Sequence, residues 1–329
     1  MFLKRILPAA ALISVAAGGA QAQSTIKIDG SSTVFPITEA VAEEFQKVQK
    51  GKVRVTVGIS GTGGGFKKFC RGETDLSNAS RPILKEEMEA CTKAGIEYVE
   101  IPVAFDALTV AVNPKNDWIK NVTIAQLKKM WEPAAQGKVV KWKDVDPSWP
   151  DVPLKLFGAG ADSGTFDYFT EAVNGKSKAS RSDFTASEDD NVLVTGIEND
   201  RGALGFIPYA YFQPHASKMR ALGIDEGKGK GPVLPSEKTV VDGTYSPLSR
   251  PLFVYINVKA IDRPEVKAFL DFYLKSQKLI TEVKYVPLPD KAYEIARDRI
   301  VSKVKGTAFG GHPEVGLPIL DLLKREPKV

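Results

Sequence analysis

Three times within 329 residues, a short apolar strand leads through a loop of Ser, Thr and Gly into a helix. The loops are Asp29-Gly30-Ser31-Ser32-Thr33 ahead of a helix at Ile37, Ser60-Gly61-Thr62-Gly63-Gly64-Gly65 ahead of a helix at Phe66, and Asp162-Ser163-Gly164-Thr165 ahead of a helix at Phe166. A chain that repeats this unit is committed to α/β layering, with helices packed on strands. The first turn of a helix carries backbone N–H groups without intrahelical partners and the positive end of the helix dipole, which suits an anion. Glycine lets a ligand approach the backbone closely, and hydroxyls add donors without charge. Plain N-capping accounts for any one of these loops alone. Three in one chain point to a small, enclosed oxyanion, although spacing does not show that they converge.

The remaining pattern agrees with α/β. Strands are expected at Thr25–Asp29, Lys52–Ile59, Tyr98–Pro102, Phe105–Val112, Leu154–Phe157, Ala203–Ile207 and Leu252–Val258. Helices are expected at Ile37–Val48, Ile124–Trp131, Thr165–Val173, Pro264–Lys275 and Lys291–Val304. Gly223–Pro235 reads as an exposed loop. The apolar strands Phe105–Val112 and Leu252–Val258 bracket a middle block richer in Trp, Gly and loop residues. That arrangement predicts two lobes: residues 23–105 with 250–329, and an inserted lobe of 106–249, with crossing segments between them. The cleft between lobes is where a small ligand would sit.

The first 22 residues are a separate object. Lys4 and Arg5 precede the apolar run Ile6–Ala17, and Ala20-Gln21-Ala22 has the form that a signal peptidase cuts, which predicts an exported, periplasmic protein beginning at Gln23. The apolar run is too short to remain as a membrane span. Losing Lys4 and Arg5 with the leader lowers the formal charge from +5 to +3 and leaves 307 residues, enough for two cores. That mild excess suits an anionic ligand and, without a dense basic run, excludes a nucleic-acid partner. Cys70 and Cys91, in an oxidising compartment, are expected to form a disulfide worth ~3 kcal/mol. The two histidines, His215 and His312, each beside proline, read as surface residues, which argues against a metal centre or a catalytic triad. The Gly61–Gly65 run lacks the dinucleotide-binding spacing, and neither a P-loop nor a nucleophile-elbow motif occurs.

Six stretches, in order along nearly the whole mature chain, resemble the periplasmic phosphate-binding proteins of Pst-type ABC transporters, particularly the SphX-like branch. They are Asp29–Pro36, Ser60–Phe66, Asn78–Pro82, Asp162–Phe169, Ser187–Asn191 and Pro247–Tyr255. The resemblance implies a two-lobed binding protein of type II, hinged between two α/β domains. It also implies a monomer without catalytic residues or cofactor, which closes on inorganic phosphate and delivers it to a membrane permease and ATPase. Carried across, it puts Ser32, Thr33 and the Val34 amide on the ligand, with either Ser60 or Thr62 from the second loop and Ser163, Gly164 and Thr165 from the third. Many family members carry Arg four residues before that Ser, where this chain has Ala159, and Asp near the position of Arg81. The arginine has moved from one lobe to the other, which makes Arg81 the candidate cation; otherwise it is a surface partner of Asp75 or Glu73.

Asp106 interrupts an apolar strand, and a carboxylate there needs a reason. It either accepts a hydrogen bond from the ligand or serves the structure, as a partner of Arg81 or a loop cap. An acceptor would matter because phosphate near neutral pH still carries a proton to donate. Sulfate has none, so a buried carboxylate would repel it. A site for sulfate, molybdate or arsenate is the alternative that keeps the three loops. An exported phosphate-ester hydrolase would need a nucleophile beside a base, or a metal, and is a weaker reading.

Overall fold

The computed structural model describes residues 23–161, 163–187, 189–312, 314 and 318–329; the expected leader and Asp162 lie outside them. The chain opens β1 (Ser24–Gly30), α1 (Phe35–Val48), β2 (Val53–Val57), α2 (Gly61–Phe69), β3 (Leu76–Ala79), α3 (Lys85–Lys93) and β4 (Tyr98–Val112). A middle section follows: β5 (Asn121–Thr123), α4 (Ile124–Trp131), α5 (Trp142–Val145), β6 (Lys155–Ala159), α6 (Gly164–Asn174), β7 (Thr185–Ser187), α7 (Asp190–Asn199), β8 (Ala203–Pro208), α8 (Tyr209–Phe212), β9 (Arg220–Ala221), β10 (Gly223–Asp225) and α9 (Glu237–Val241). β11 (Ser249–Asn257), α10 (Val258–Ile261), α11 (Pro264–Tyr273), α12 (Gln277–Glu282), β12 (Val286–Pro287), α13 (Asp290–Val301) and α14 (Ile319–Lys324) complete it.

The strands join in the order β2-β1-β3-β11-β4-β8-β6-β7. Parallel pairing holds among β2, β1 and β3 and again among β8, β6 and β7, while β11 and β4 run antiparallel to their neighbours. β4 is the element that ties these groups together. Its residues Tyr98–Ala107 pair with β11, and Leu108–Val112 pair with β8. All fifteen of its residues are buried, as a strand covered on both faces requires. Two strands were expected here, broken near Pro102. The structure runs straight through, with an irregularity that pairs Pro102 with Phe253 and Ala104 with Leu252 and leaves Val103 unpaired. Such a bulge is where proline is tolerated inside a sheet.

Helices cover the sheet by burying one stripe each. α1 buries Ile37, Val41 and Phe45, and the Phe45 ring meets Phe269 of α11 edge-on at 5.3 Å. The expected disulfide is present: Cys70, at the end of α2, is bonded to Cys91 in α3. Two local expectations change. α2 begins at Gly61, so the Gly61–Gly65 run is its first turns rather than a loop. The stretch expected as the loop Gly223–Pro235 opens with the strand β10 before becoming exposed. Among the described residues no helix is long and apolar enough to cross a membrane.

Candidate functional site

The first loop follows β1 and enters α1, whose N-cap residue is Val34; no side chain caps this helix, and Pro36 occupies its first turn. No side-chain oxygen claims the amides there, although those of Phe35, Ile37 and Thr38 bond to the Ser31 and Val34 carbonyls. Thr33 is buried, and its carbonyl accepts a 2.7 Å hydrogen bond from the Tyr285 hydroxyl. Ser32 is half-buried beside it.

The second loop lies against the first. A Cβ on Gly65 would stand 2.5 Å from Gly30 Cα, so only glycine permits this approach. The two hydroxyls left open by the sequence have different partners. Ser60 Oγ does not cap α2 but donates to Asp29, whose other oxygen holds Lys68 Nζ at 2.6 Å. Thr62 Oγ1 accepts from the Ser80 amide and lies 3.1 Å from Ser80 Oγ.

The third loop meets the first from the other side. Ser163 caps α6, its Oγ accepting from the Thr165 amide at 3.2 Å. A Cβ on Gly164 would stand 2.9 Å from Thr33 Cα and 3.0 Å from Thr33 Oγ1. The starts of α1 and α6 are thus in contact, and α2 abuts the same loop. Spacing could not show this convergence; packing does.

Asp106 is buried on β4, and across the antiparallel pair its register partner is Arg250 of β11. Asp106 Oδ2 lies 3.7 Å from Arg250 Nη2 and has no hydrogen-bond partner. Burial pushes the Asp106 carboxyl up to about 6, against the opposing pull of Arg250. The guanidinium is equally under-used. Its Nη1 is 3.4 Å from Glu171 Oε2, its Nη2 is 3.5 Å from Thr33 Oγ1, and its Nε is buried without a partner. These distances are long for charge-assisted bonds, which close to about 2.7–2.9 Å when fully made. The plane lies over the Tyr168 ring, with Cζ 3.8 Å from its centroid, and Tyr168 is held by its hydroxyl on the Pro247 carbonyl at 2.6 Å.

Arg81 stands differently from expectation. Its partner is neither Asp75 nor Glu73, nor is it the partner of Asp106. It forms a two-pronged bridge to Glu87, both bonds 2.8 Å. Asp75 pairs with Arg263 and Glu73 with Arg71. A fork already filled by a carboxylate on α3 has little left for a ligand. Arg250 is the candidate cation that sequence reasoning missed. It sat inside the Pro247–Tyr255 stretch and was not singled out. The available signal was a lone cation, between Ser249 and Pro251, at the head of an apolar strand. Of the histidines, His312 is exposed as expected, whereas His215 is partly buried with Nδ1 2.9 Å from Glu198.

Two cavities flank this meeting point. One of about 240 Å³ is lined by Asp106, Thr165, Pro36 and Tyr285. The other, of about 360 Å³, is lined by Arg250, Ser80, Arg81 and Tyr168 among others. The arrangement offers helix starts, hydroxyls, a stacked guanidinium and one acceptor to a small anion. No cluster of metal-ligating side chains occurs among the described residues.

Comparison with known proteins accords with this geometry. A family model described as a PBP superfamily domain matches residues 15–277. Protein SphX of Synechococcus elongatus is 50% identical over 98% of this chain and 95% of its own length. The phosphate-binding protein PstS of Staphylococcus saprophyticus is 37% identical over 89% of this chain and 91% of its own. A crystal structure of a possible phosphate binding protein from Planctomyces limnophilus is 49% identical and covers 86% of this chain and 99% of its own, with a TM-score of 0.82. The chain therefore belongs to the PBP superfamily and, within it, to the PstS family of phosphate-binding proteins, on its SphX-like side.

Proposed function

We propose that this chain is an exported solute-binding protein, not an enzyme, that captures inorganic phosphate between two lobes. It hands the ion to the permease and ATPase of an ABC transporter. Relatives named for phosphate binding, aligned over most of both chains, support the ligand. The observation that carries the reading is the pair Arg250 and Asp106, both short of hydrogen bonds where α1 and α6 begin. A buried donor and a buried acceptor left unmade are costly unless a ligand completes them.

In this reading Ser32, Thr33 and the Val34 amide bind from the first loop, and Ser163, Gly164 and Thr165 from the third. The second loop contributes Ser60 or Thr62; the Ser60 hydroxyl is held by Asp29 and the Thr62 hydroxyl by Ser80. Arg250 supplies the cation, and Arg81 stays on Glu87 at the rim. Asp106 accepts the proton that phosphate retains and sulfate lacks. The lobes are residues 23–105 with 250–329 and residues 106–249; β4 and β11 cross between them, and the leader is removed after Ala22. The test is calorimetry of Arg250→Ala against phosphate. Losing one partner of a desolvated charge pair typically costs ~2–5 kcal/mol. A loss below ~0.5 kcal/mol, the scale of an exposed pair, would place the cation elsewhere.

A further inference from the structure

The cavity of about 240 Å³ lined by Asp106 and Thr165 draws its wall from distant parts of the chain. Thr165 and Tyr211 come from the proposed inserted lobe, Pro36, Lys284 and Tyr285 from the other. Its described lining carries three carboxylates, those of Asp106, Asp190 and Glu282, and one cation, Lys284. That lysine is placed by its backbone. It follows α12, where the Lys284 amide bonds to the Thr281 carbonyl and the Tyr285 amide to the Ile280 carbonyl, both at 3.0 Å. The left-handed residue in such a helix end is usually glycine, yet here lysine adopts a φ of 73°. Lys178 and Lys303, also left-handed, reach aspartates at 3.8 and 2.6 Å. Lys284 instead reaches α8 in the inserted part of the chain, where its Nζ stands 5.1 Å from the centre of the Tyr211 ring. An ammonium at that distance over an aromatic face is attracted to it. The next residue, Tyr285, donates its hydroxyl to the Thr33 carbonyl, so the segment bearing Lys284 is tied to the first loop.

We propose that the contact between Lys284 and Tyr211 is the latch that retains phosphate: it joins the two lobes beside the bound ion and sets its release rate. The inference rests on the phosphate reading and on the two lobes proposed above. A ligand enclosed between lobes leaves only when they part, so weakening a contact between them speeds release more than it slows association.

The experiment loads the mature protein with radiolabelled inorganic phosphate and follows its release into excess unlabelled phosphate. Lys284→Met and Tyr211→Leu should each raise the release rate about fivefold. In the double variant the two effects should not multiply, because either substitution alone breaks the contact. Lys284→Arg keeps a cation for the ring and should stay within about twofold of the parent. Lys284→Gly separates the latch from the fold, since glycine favours the left-handed backbone. Without phosphate it should melt no lower than the parent, yet release phosphate as fast as Lys284→Met. The proposal is overturned if either single variant changes the release rate by less than about twofold, or if the two effects multiply. A parent that binds no phosphate would instead overturn the underlying reading.

Discussion

In the proposed phosphate site, Asp106 and Arg250 meet across the β4–β11 pair with hydrogen-bonding capacity unused. Asp106 is buried and Arg250 half-buried, each faces the other across the strand pair, and Asp106 Oδ2 and Arg250 Nε have no hydrogen-bond partner. Burial raises the Asp106 carboxyl from its ordinary value of 3.8 to about 6. A raised acid favours the fold fully below its unfolded value and loses that contribution as pH rises through its folded one. Phosphate-free protein should therefore lose on the order of 3 kcal/mol from this group between about pH 4 and pH 7. Urea denaturation of the parent and Asp106→Asn across that range isolates it: the difference between them should grow with pH, and a constant difference contradicts the assignment. The same variant should keep phosphate affinity within about tenfold but admit sulfate, because an amide can both donate and accept. If labelled phosphate resists sulfate as well in the variant as in the parent, discrimination lies outside Asp106. Asp106 was legible in the sequence because one carboxylate in an apolar run is conspicuous. Arg250 was not, since its pairing depends on the register of two strands far apart in the chain.

The helix starts supply the geometry of the proposed anion site, and they were only partly legible. α4 begins and ends where its periodicity says, helped by Thr123 and Gln126 forming a reciprocal cap. α2 begins five residues before its apolar stripe, because glycine is a poor helix former and the run reads as loop. What makes that run helical is packing: Gly65 sits against Gly30 where no side chain fits. β4 likewise read as two strands because a proline interrupts it, and only the bulge opposite β11 reveals one strand. The contact between α6 and the first loop gives a direct test. Gly164→Ala puts a methyl 2.9 Å from Thr33 Cα, so the two helix starts must separate. Phosphate affinity should fall at least tenfold while the melting temperature of the phosphate-free protein moves by only a few degrees. Affinity equal to the parent's would mean that these helix starts do not jointly hold the ligand.

At the scale of the molecule, the alternation of strands and helices foretold α/β layering, and the order of motifs foretold the family. The sheet order was not legible, because β11 inserts between β3 and β4 from the distant end of the chain. That insertion brings Arg250 beside Asp106 and makes two adjacent, antiparallel strands the proposed crossings between lobes. A ligand held by both lobes stabilises the closed form by mass action, adding about 2.7 kcal/mol at a hundredfold excess over Kd. In the proposed closed form the site selects phosphate by the proton it carries. Calorimetric titration of phosphate-stripped protein with phosphate, then with phosphate in excess sulfate, tests it most directly. One phosphate should bind per chain, with an affinity that sulfate leaves essentially unchanged. Sulfate binding as tightly as phosphate, or no phosphate binding at all, would contradict it.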